Sequence, residues 1–367
     1  MSWNLSRFRT GDLVEVRSKE EILATLGDDG RIAGMPFMPE MLQFCGQQFE
    51  VGAVAHKTCE TAKRTYKGRR LEKTVHVADL RCDGSAHGGC QAACRLFWRD
   101  EWLRPANASA SKGTARQLPI ASPQIDEATL AANTQRPLRE GEHGPRYSCQ
   151  ATELYGATTP LQYWDPRQYV LDVITGNHSA GAVARALWLG AMRAWLRVTP
   201  RGYRIVKRIR ESMHDRLVGG EVPDIQGIIP AGQPTPTGRI DLKPGERVRI
   251  KQKSDITNTL AENNKNRGLS FDQEMVRYCG TVATVHSSVT RIIDEGTGEM
   301  MAMKQPCIIL DGAVCRGEYS QCRLMCPRQL PTFWRELWLE RVDDPKPQPA
   351  VKAPAYSPLR SLVDQEV

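Results

Sequence analysis

The chain repeats itself, and that repetition limits its fold more than any other feature. GDLVEVRSKEEILATL, from Gly11, lies over GERVRIKQKSDITNTL, from Gly245. The same offset carries GMPFMPEMLQFCGQQFEV over GLSFDQEMVRYCGTVATV without a gap. Gly11/Gly245, Val14/Val248, Ile22/Ile256, Leu26/Leu260, Gly34/Gly268, Phe37/Phe271, Glu40/Glu274, Met41/Met275, Cys45/Cys279, Gly46/Gly280 and Val51/Val285 are identical pairs. The far ends match too, FWRDEWL (97–103) over FWRELWL (333–339). Chance similarity does not hold glycine, methionine and cysteine in one register over such a span. The reading is therefore two copies of one domain, 5–106 and 240–342, each burying its own core.

Each copy opens on alternation, GDLVEVR and GERVRIK, the pattern of a half-buried strand after a glycine turn. Helical spacing follows at Ile22 and Leu26, and at Ile256 and Leu260. Further strands are expected from CGQQFEV and CGTVATV, then from the β-branched runs TVHVADLRC and PCIILDGAVC. Short, twisted strands of this kind predict an α+β protein with two small SH3-like β-barrels, each with a Cys-rich metal site, joined by a helical middle region. The repeated FWR-D/E-xWL segment is expected to set Trp98 and Trp102, like Trp334 and Trp338, on one helical face over the barrel end and metal site.

Eleven cysteines in a chain with no secretory leader in its opening residues point to metal ligation rather than a disulfide framework. Cys82-x7-Cys90-x3-Cys94 lies over Cys315-x6-Cys322-x3-Cys326, with Cys45 over Cys279 upstream. Cysteines four apart on a helical turn, Cys90 and Cys94 for example, face one side and can share an ion. A loop cysteine and a distant strand ligand would close a tetrahedron of soft donors. Two ligand sets remain open. One keeps this alignment; the other is Cys45, His76, Cys82, Cys94 and Cys279, Cys307, Cys315, Cys326. His87, in SAHGGC, is a further ligand or a hydrogen-bonding neighbour of the site. Zinc is the expected metal and an iron–sulfur cluster the alternative, since four thiolates suit either. Isolated cysteines such as Cys59 and Cys149 read as buried thiols.

The segments EMLQFCG, LRCDGSAHGGCQAACRLFW, PCIILDGAVC and FWRELWL resemble those of a family of uncharacterised bacterial proteins, with the likeness extending to CQATEL (149–154). The resemblance implies a shared fold and a setting near polysaccharide or secondary-metabolite biosynthesis genes. It brings no assigned reaction and no catalytic residue. It adds weight to His76, His87 and Cys307 and takes weight from Cys322.

Residues 107–145 are polar and aperiodic and read as a linker or surface wrap, 146–220 as a helical basic middle region, 221–239 as a second linker, and 343–367 as a Pro-rich disordered tail. A hydrophobic fraction of 40% and a charged fraction of 25% are those of a globular chain. No run of 18 or more apolar residues is present, so a cytoplasmic location is expected. The net charge of +8 and the basic segment 185–216 permit nucleic acid, with a protein partner as the leading expectation. The oligomeric state is not encoded legibly. Phosphate loop, nucleophile elbow, HExxH and dinucleotide fingerprint are all absent. These observations point to a non-enzymatic, metal-stapled binding or accessory protein, with an iron–sulfur enzyme or electron carrier as the alternative.

Overall fold

The structure is a computed structural model that describes residues 3–65, 67–106, 125–138, 144–198, 208–209, 211–214, 216, 222–319 and 324–342. It is mixed α+β, built from small antiparallel sheets. In the first half β1 (Leu13–Val16), β2 (Gln48–Val54), β3 (Lys57–Cys59), β4 (Gly68–Arg70), β5 (Thr74–Val77), β6 (Trp98–Arg99) and β7 (Leu103–Pro105) follow in order, with β8 (Thr159–Pro160) added from the middle of the chain. The second half supplies β9 (Arg247–Ile250), β10 (Val282–Ile293), β11 (Met300–Val314), β12 (Pro331–Trp334) and β13 (Leu339–Arg341). Two five-stranded sheets result, β6-β5-β2-β1-β7 and β12-β11-β10-β9-β13, with corresponding strands at corresponding places. Their register agrees as well: Val14 faces Phe49 and Pro105, and Val248 faces Ala283 and Arg341. Neither sheet closes among the described residues, so the expected closed barrels do not form. A single 3-10 turn, Asp100–Trp102 or Glu336–Trp338, carries the chain from one edge strand to the other without pairing them.

The tryptophans explain that open end. Trp98 and Trp334 lie on strands and Trp102 and Trp338 in the 3-10 turns, so the helical face expected of them is corrected. All four are fully buried. Phe37 meets Trp98 and Trp102 edge-on at centroid distances of 6.3 and 5.1 Å, and Phe271 meets Trp334 and Trp338 at 6.2 and 5.5 Å. Each such pair adds about 0.5–1.5 kcal/mol to the burial of its rings. The acid of the motif fixes the lead-in chain. Asp100 accepts from the Arg7 amide at 2.8 Å, and Glu336 from the Ile240 and Asp241 amides at 2.6 and 2.9 Å.

Helix α1 (Lys19–Leu23) is started by a Ser18–Glu21 capping box and buries Ile22 and Leu23. The linker residues that are described wrap the first core, with Ile125 and with Leu130 of α2 (Glu127–Ala132) packed into it. The remainder of that linker, most of the basic run after 198 and the tail from 343 lie outside the described residues. The middle contributes α3 (Gln150–Glu153), α4 (Arg167–Ile174) and α5 (Ala180–Val198). Val183 and Ala186 of α5 pack on Tyr169, Leu324 and Met325. No helix of the described residues is long and apolar enough to cross a membrane. In the second half α6 (Lys253–Thr257) occupies the place of α1.

Between β2 and β5 the first half makes an excursion, β3–β4, where the second half runs one long β10–β11 hairpin. The excursion is pinned to α4 by buried charge: Lys57 Nζ donates to Asp172 Oδ2 at 2.5 Å, and His56 Nε2 lies 3.3 Å from Asp172 Oδ1. Asp172 is fully buried, so removing it strands a cation in the interior. The Asp172→Ala variant should lose about 3–5 kcal/mol of unfolding free energy, measured by urea denaturation. Lys57→Met with Asp172→Leu should recover most of that loss. A loss well below 1 kcal/mol for Asp172→Ala would show that the pair carries little.

Candidate metal centre

The segment 81–95 is a hairpin-like loop rather than a helix, so Cys90 and Cys94 are not brought together by a helical turn. An antiparallel bridge joins Arg81 to Arg95, and the Cys82 amide donates to the Cys94 carbonyl at 2.8 Å. Backbone pairing thus sets Cys82 beside Cys94, and the tip Gly84–Cys90 folds back over them. Gly84 (φ 72°) has to be glycine, because a Cβ there would overlap the Cys90 backbone. Gly88 (φ 70°) lets Tyr147 pack directly on the loop.

Inside this loop Cys82 Sγ lies 3.3 Å from His87 Nε2 and 3.4 Å from Glu40 Oε1, and His87 Nδ1 lies 3.7 Å from the same carboxylate oxygen. Donors on one tetrahedral zinc stand about 3.3–3.7 Å apart. With one ligand atom taken from each residue, the three donors here all lie within 4.8 Å of one another, so small side-chain adjustments would close them on an ion. They are the one group of three or more ligand-type side chains among the described residues that converge so closely. His87 and Glu40 side chains are 1% and 2% exposed. His87 Nδ1 and Glu40 Oε2 nonetheless have no hydrogen-bond partner. Buried polar atoms of folded proteins are nearly always partnered, so the donor set fits a cation.

The three donors open on a cavity of about 30 Å³ that is also lined by Cys90, Cys94, Cys149, Glu295 and Arg328. Cys90 Sγ accepts from the Ile293 amide at 3.4 Å. Ile293, Glu295 and Arg328 belong to the second half, so the centre sits where the halves meet. Gln91 on one side and Thr290 and Arg291 on the other lock that contact through hydrogen bonds of 2.7–3.2 Å. Burial pushes the Cys94 and Cys149 thiols up to about 12. Cys82 is raised further, first by burial and then by Glu40 and the neighbouring thiols. Burial lowers His87 to about 4 and raises Glu40. In the absence of a cation the Cys82 thiol keeps its proton, so binding an ion there releases one.

The other expected ligands lie elsewhere. Cys45 ends a 3-10 turn near Lys19, Glu20 and Glu127, away from the cavity, and its thiol is raised to about 11 mainly by burial. Cys279 ends the corresponding turn of the second half. His76 hydrogen-bonds the Leu96 carbonyl through Nδ1 at 2.8 Å and stacks on Phe97, and its Nε2 has no hydrogen-bond partner. Strand register puts Thr74, not His76, in the place of Cys307: Val77 and Leu310 occupy equivalent rungs. Cys307 packs against Val289 and Ile309 with Arg335 Nη1 3.4 Å from its sulfur. Cys322 is outside the described residues.

Two matching sites were expected, and one such group is present among the described residues. The aligned pair Cys94 and Cys326 is corrected by the backbone. The Cys315 amide donates to the Leu330 carbonyl at 2.8 Å, as Cys82 does to Cys94, so a leucine holds the place of Cys94. Glu274, the counterpart of Glu40, accepts from the Tyr319 amide at 2.6 Å. Glu40 and Cys149 were not anticipated as members of the site. The first had a signal in its identity with Glu274, the second in CQATEL, where Gln150 clamps Phe97 by bonds of 2.8 Å to both its amide and carbonyl. A second cleft, of about 480 Å³, lies between α4, α5 and Tyr319, apart from the metal centre. Comparison with known proteins finds no family model that matches the chain and no curated protein that resembles it.

The histidines outside the centre give a pH signature. Burial pulls His76 well below 6.5 and lowers His178 as well. Unfolded histidines titrate near 6.5, so below that pH the unfolded chain holds more protons than the native one. Stability should therefore fall as pH drops from 6.5 toward the depressed native values, by up to about 1.4 kcal/mol per pH unit for each histidine. Urea titrations at pH 7.5 and 5.5 should show the decline, and His76→Gln should flatten it. An unchanged slope in that variant would exclude His76 as a source.

Proposed function

We propose that the protein is a zinc-binding, non-enzymatic accessory protein built from two copies of an SH3-like module, with the ion held by Glu40, Cys82, His87 and Cys94. One observation carries this reading: three ligand-type side chains, two of them almost completely buried, bring one ligand atom each within 4.8 Å of the others, with His87 Nδ1 and Glu40 Oε2 lacking hydrogen-bond partners. Cys94 is the natural fourth donor because it lies across the hairpin from Cys82 and lines the same cavity. Enclosure favours a structural role, since a catalytic zinc keeps a position open to water or substrate. The matching strand order and register of the two sheets support the duplication. The bacterial family resembled in sequence supports a partner in a biosynthetic system, a protein first and nucleic acid second. Arg185, at the start of the basic segment, is exposed.

An iron–sulfur reading draws on a specific observation, the four thiols Cys82, Cys90, Cys94 and Cys149 around one cavity. The small cavity volume of about 30 Å³ favours a single ion over a cluster.

Elemental analysis of protein purified without oxygen should find zinc, a colourless solution, and loss of one equivalent in His87→Ala and in Cys82→Ser. A brown preparation absorbing near 400 nm would replace zinc by iron–sulfur. Unchanged metal content in both variants would reject the centre. Chelation should lower thermal stability strongly, since ion binding adds on the order of 10 kcal/mol to small zinc folds.

A further inference from the structure

Helix α4 is amphipathic in reverse: Gln168 and Asp172 are buried, while Val170, Val173 and Ile174 are exposed. The buried amide has work to do. Gln168 Nε2 donates to the Gln162 and Asp165 carbonyls at 2.9 and 3.1 Å, and the Tyr169 hydroxyl donates to the Tyr163 carbonyl at 2.7 Å. These bonds hold the loop between β8 and α4 from inside. They leave Tyr163 and Trp164 outside, Trp164 at 68% exposure. On α5, Leu187, Ala191, Ala194 and Trp195 are exposed at three- and four-residue spacing, which sets them along one stripe. The cleft of about 480 Å³ shows that the loop and the stripe share a face, since Tyr163, Trp164, Leu187, Ala191 and Ala194 all line it. His214 lines it too, so the helical residues around His214, with Arg208, Ile209 and Arg216 exposed, stand beside that face. Contiguous apolar surface of this kind marks a contact with another body.

Charge selects the body. From Arg185 to Arg216 the chain carries nine arginines and lysines against two acids, Glu211 and Asp215, a net +7 where the whole chain has +8. We propose that the face formed by Tyr163, Trp164 and the exposed stripe of α5 docks on an anionic lipid bilayer, with the basic residues of 185–216 against the headgroups. Tryptophan and leucine enter the boundary between headgroups and acyl chains, and arginine meets the acidic lipids. Nucleic acid would match the charge and stack on Trp164, but it offers no apolar surface to cover Leu187, Ala191 and Ala194. A second copy of the chain would bring the same positive excess and be repelled. The protein lies on the bilayer rather than across it, because no helix of the described residues is long and apolar enough to span one. This inference does not depend on the Glu40–Cys82–His87 centre.

The test sediments the full-length protein with vesicles of phosphatidylcholine alone, and with vesicles of phosphatidylcholine and phosphatidylglycerol in a two-to-one ratio. Wild type should pellet with the anionic vesicles and stay in solution with the neutral ones. Trp164→Ser with Trp195→Ser should weaken that binding about tenfold through lost apolar burial. Arg185→Gln, Arg208→Gln and Arg216→Gln together should weaken it by roughly a hundredfold, at about fivefold per arginine. Trp98, Trp102, Trp334 and Trp338 are fully buried, so a blue shift of tryptophan emission on binding should be lost in the double tryptophan variant. Equal binding to neutral vesicles, or unchanged binding in either variant, overturns the proposal. So does binding to a single-stranded oligonucleotide, or self-association lost in the tryptophan variant, without any binding to vesicles. Should the variants fail to fold, wild type decides through anionic vesicles that contain brominated phosphatidylcholine. Its tryptophan emission should be quenched there, and unquenched emission overturns the site.

Discussion

Buried polar atoms must be satisfied, and the junction between the halves concentrates more of them than side chains alone can pair. Thiols, a carboxylate, an imidazole and two arginines meet there in an interior that excludes water. Where the partner is a protein group, the match is explicit: Arg328 has Glu295 and Thr61, and Gln150 has both ends of Phe97. Glu40 Oε2 and His87 Nδ1 are among the buried atoms that lack a hydrogen-bond partner. Leaving two such atoms bare costs several kcal/mol, and a cation with two positive charges is the smallest object that removes the cost at both. The loop Arg81–Arg95, its glycines and the contact of Gln91 with the second half all follow as devices that keep the donors in place.

The same reasoning explains why related halves are not equivalent. Both present a buried glutamate from the 3-10 turn, Glu40 or Glu274. In the second half that acid meets the Tyr319 amide, and a leucine, Leu330, stands where Cys94 would complete the site. Glu274 Oε2, like Glu40 Oε2, has no hydrogen-bond partner, so the missing cysteine rather than a satisfied acid distinguishes the second half. Of the cysteines the second half retains, Cys279 packs against its own core and Cys307 against Val289 and Ile309.

Much of this fold could be read from residues alone. The strands at Val14 and Val248, the short helices at Ile22 and Ile256 and the fixed offset between the sheets all follow from alternation and repetition, which are local properties. The clustering of Cys82, His87, Cys90 and Cys94 about one cavity was visible as a spacing. Three things were not. The FWR segment was read as helical because Trp98 and Trp102 are four apart, yet strand pairing of Trp98 with Val75 took precedence. Glu40 stood out only through its identity with Glu274, since only tertiary packing removes it from water. Cys59 and Cys149 were read as buried thiols, and both are buried, but the place of Cys149 on the metal cavity depends on neighbours far along the chain that no local pattern records. Alignment by sequence also slid Cys326 onto Cys94, an error that only the backbone bond from Cys315 to Leu330 exposes.

Anomalous diffraction at the zinc absorption edge, on crystals grown from protein never exposed to chelator, tests the centre most directly. The account places a peak about 2.0–2.3 Å from Cys82 Sγ, a ring nitrogen of His87 and a Glu40 oxygen, with Cys94 completing the tetrahedron. Ordered water bridging Glu40 and His87, with no anomalous peak in the loop, would contradict it.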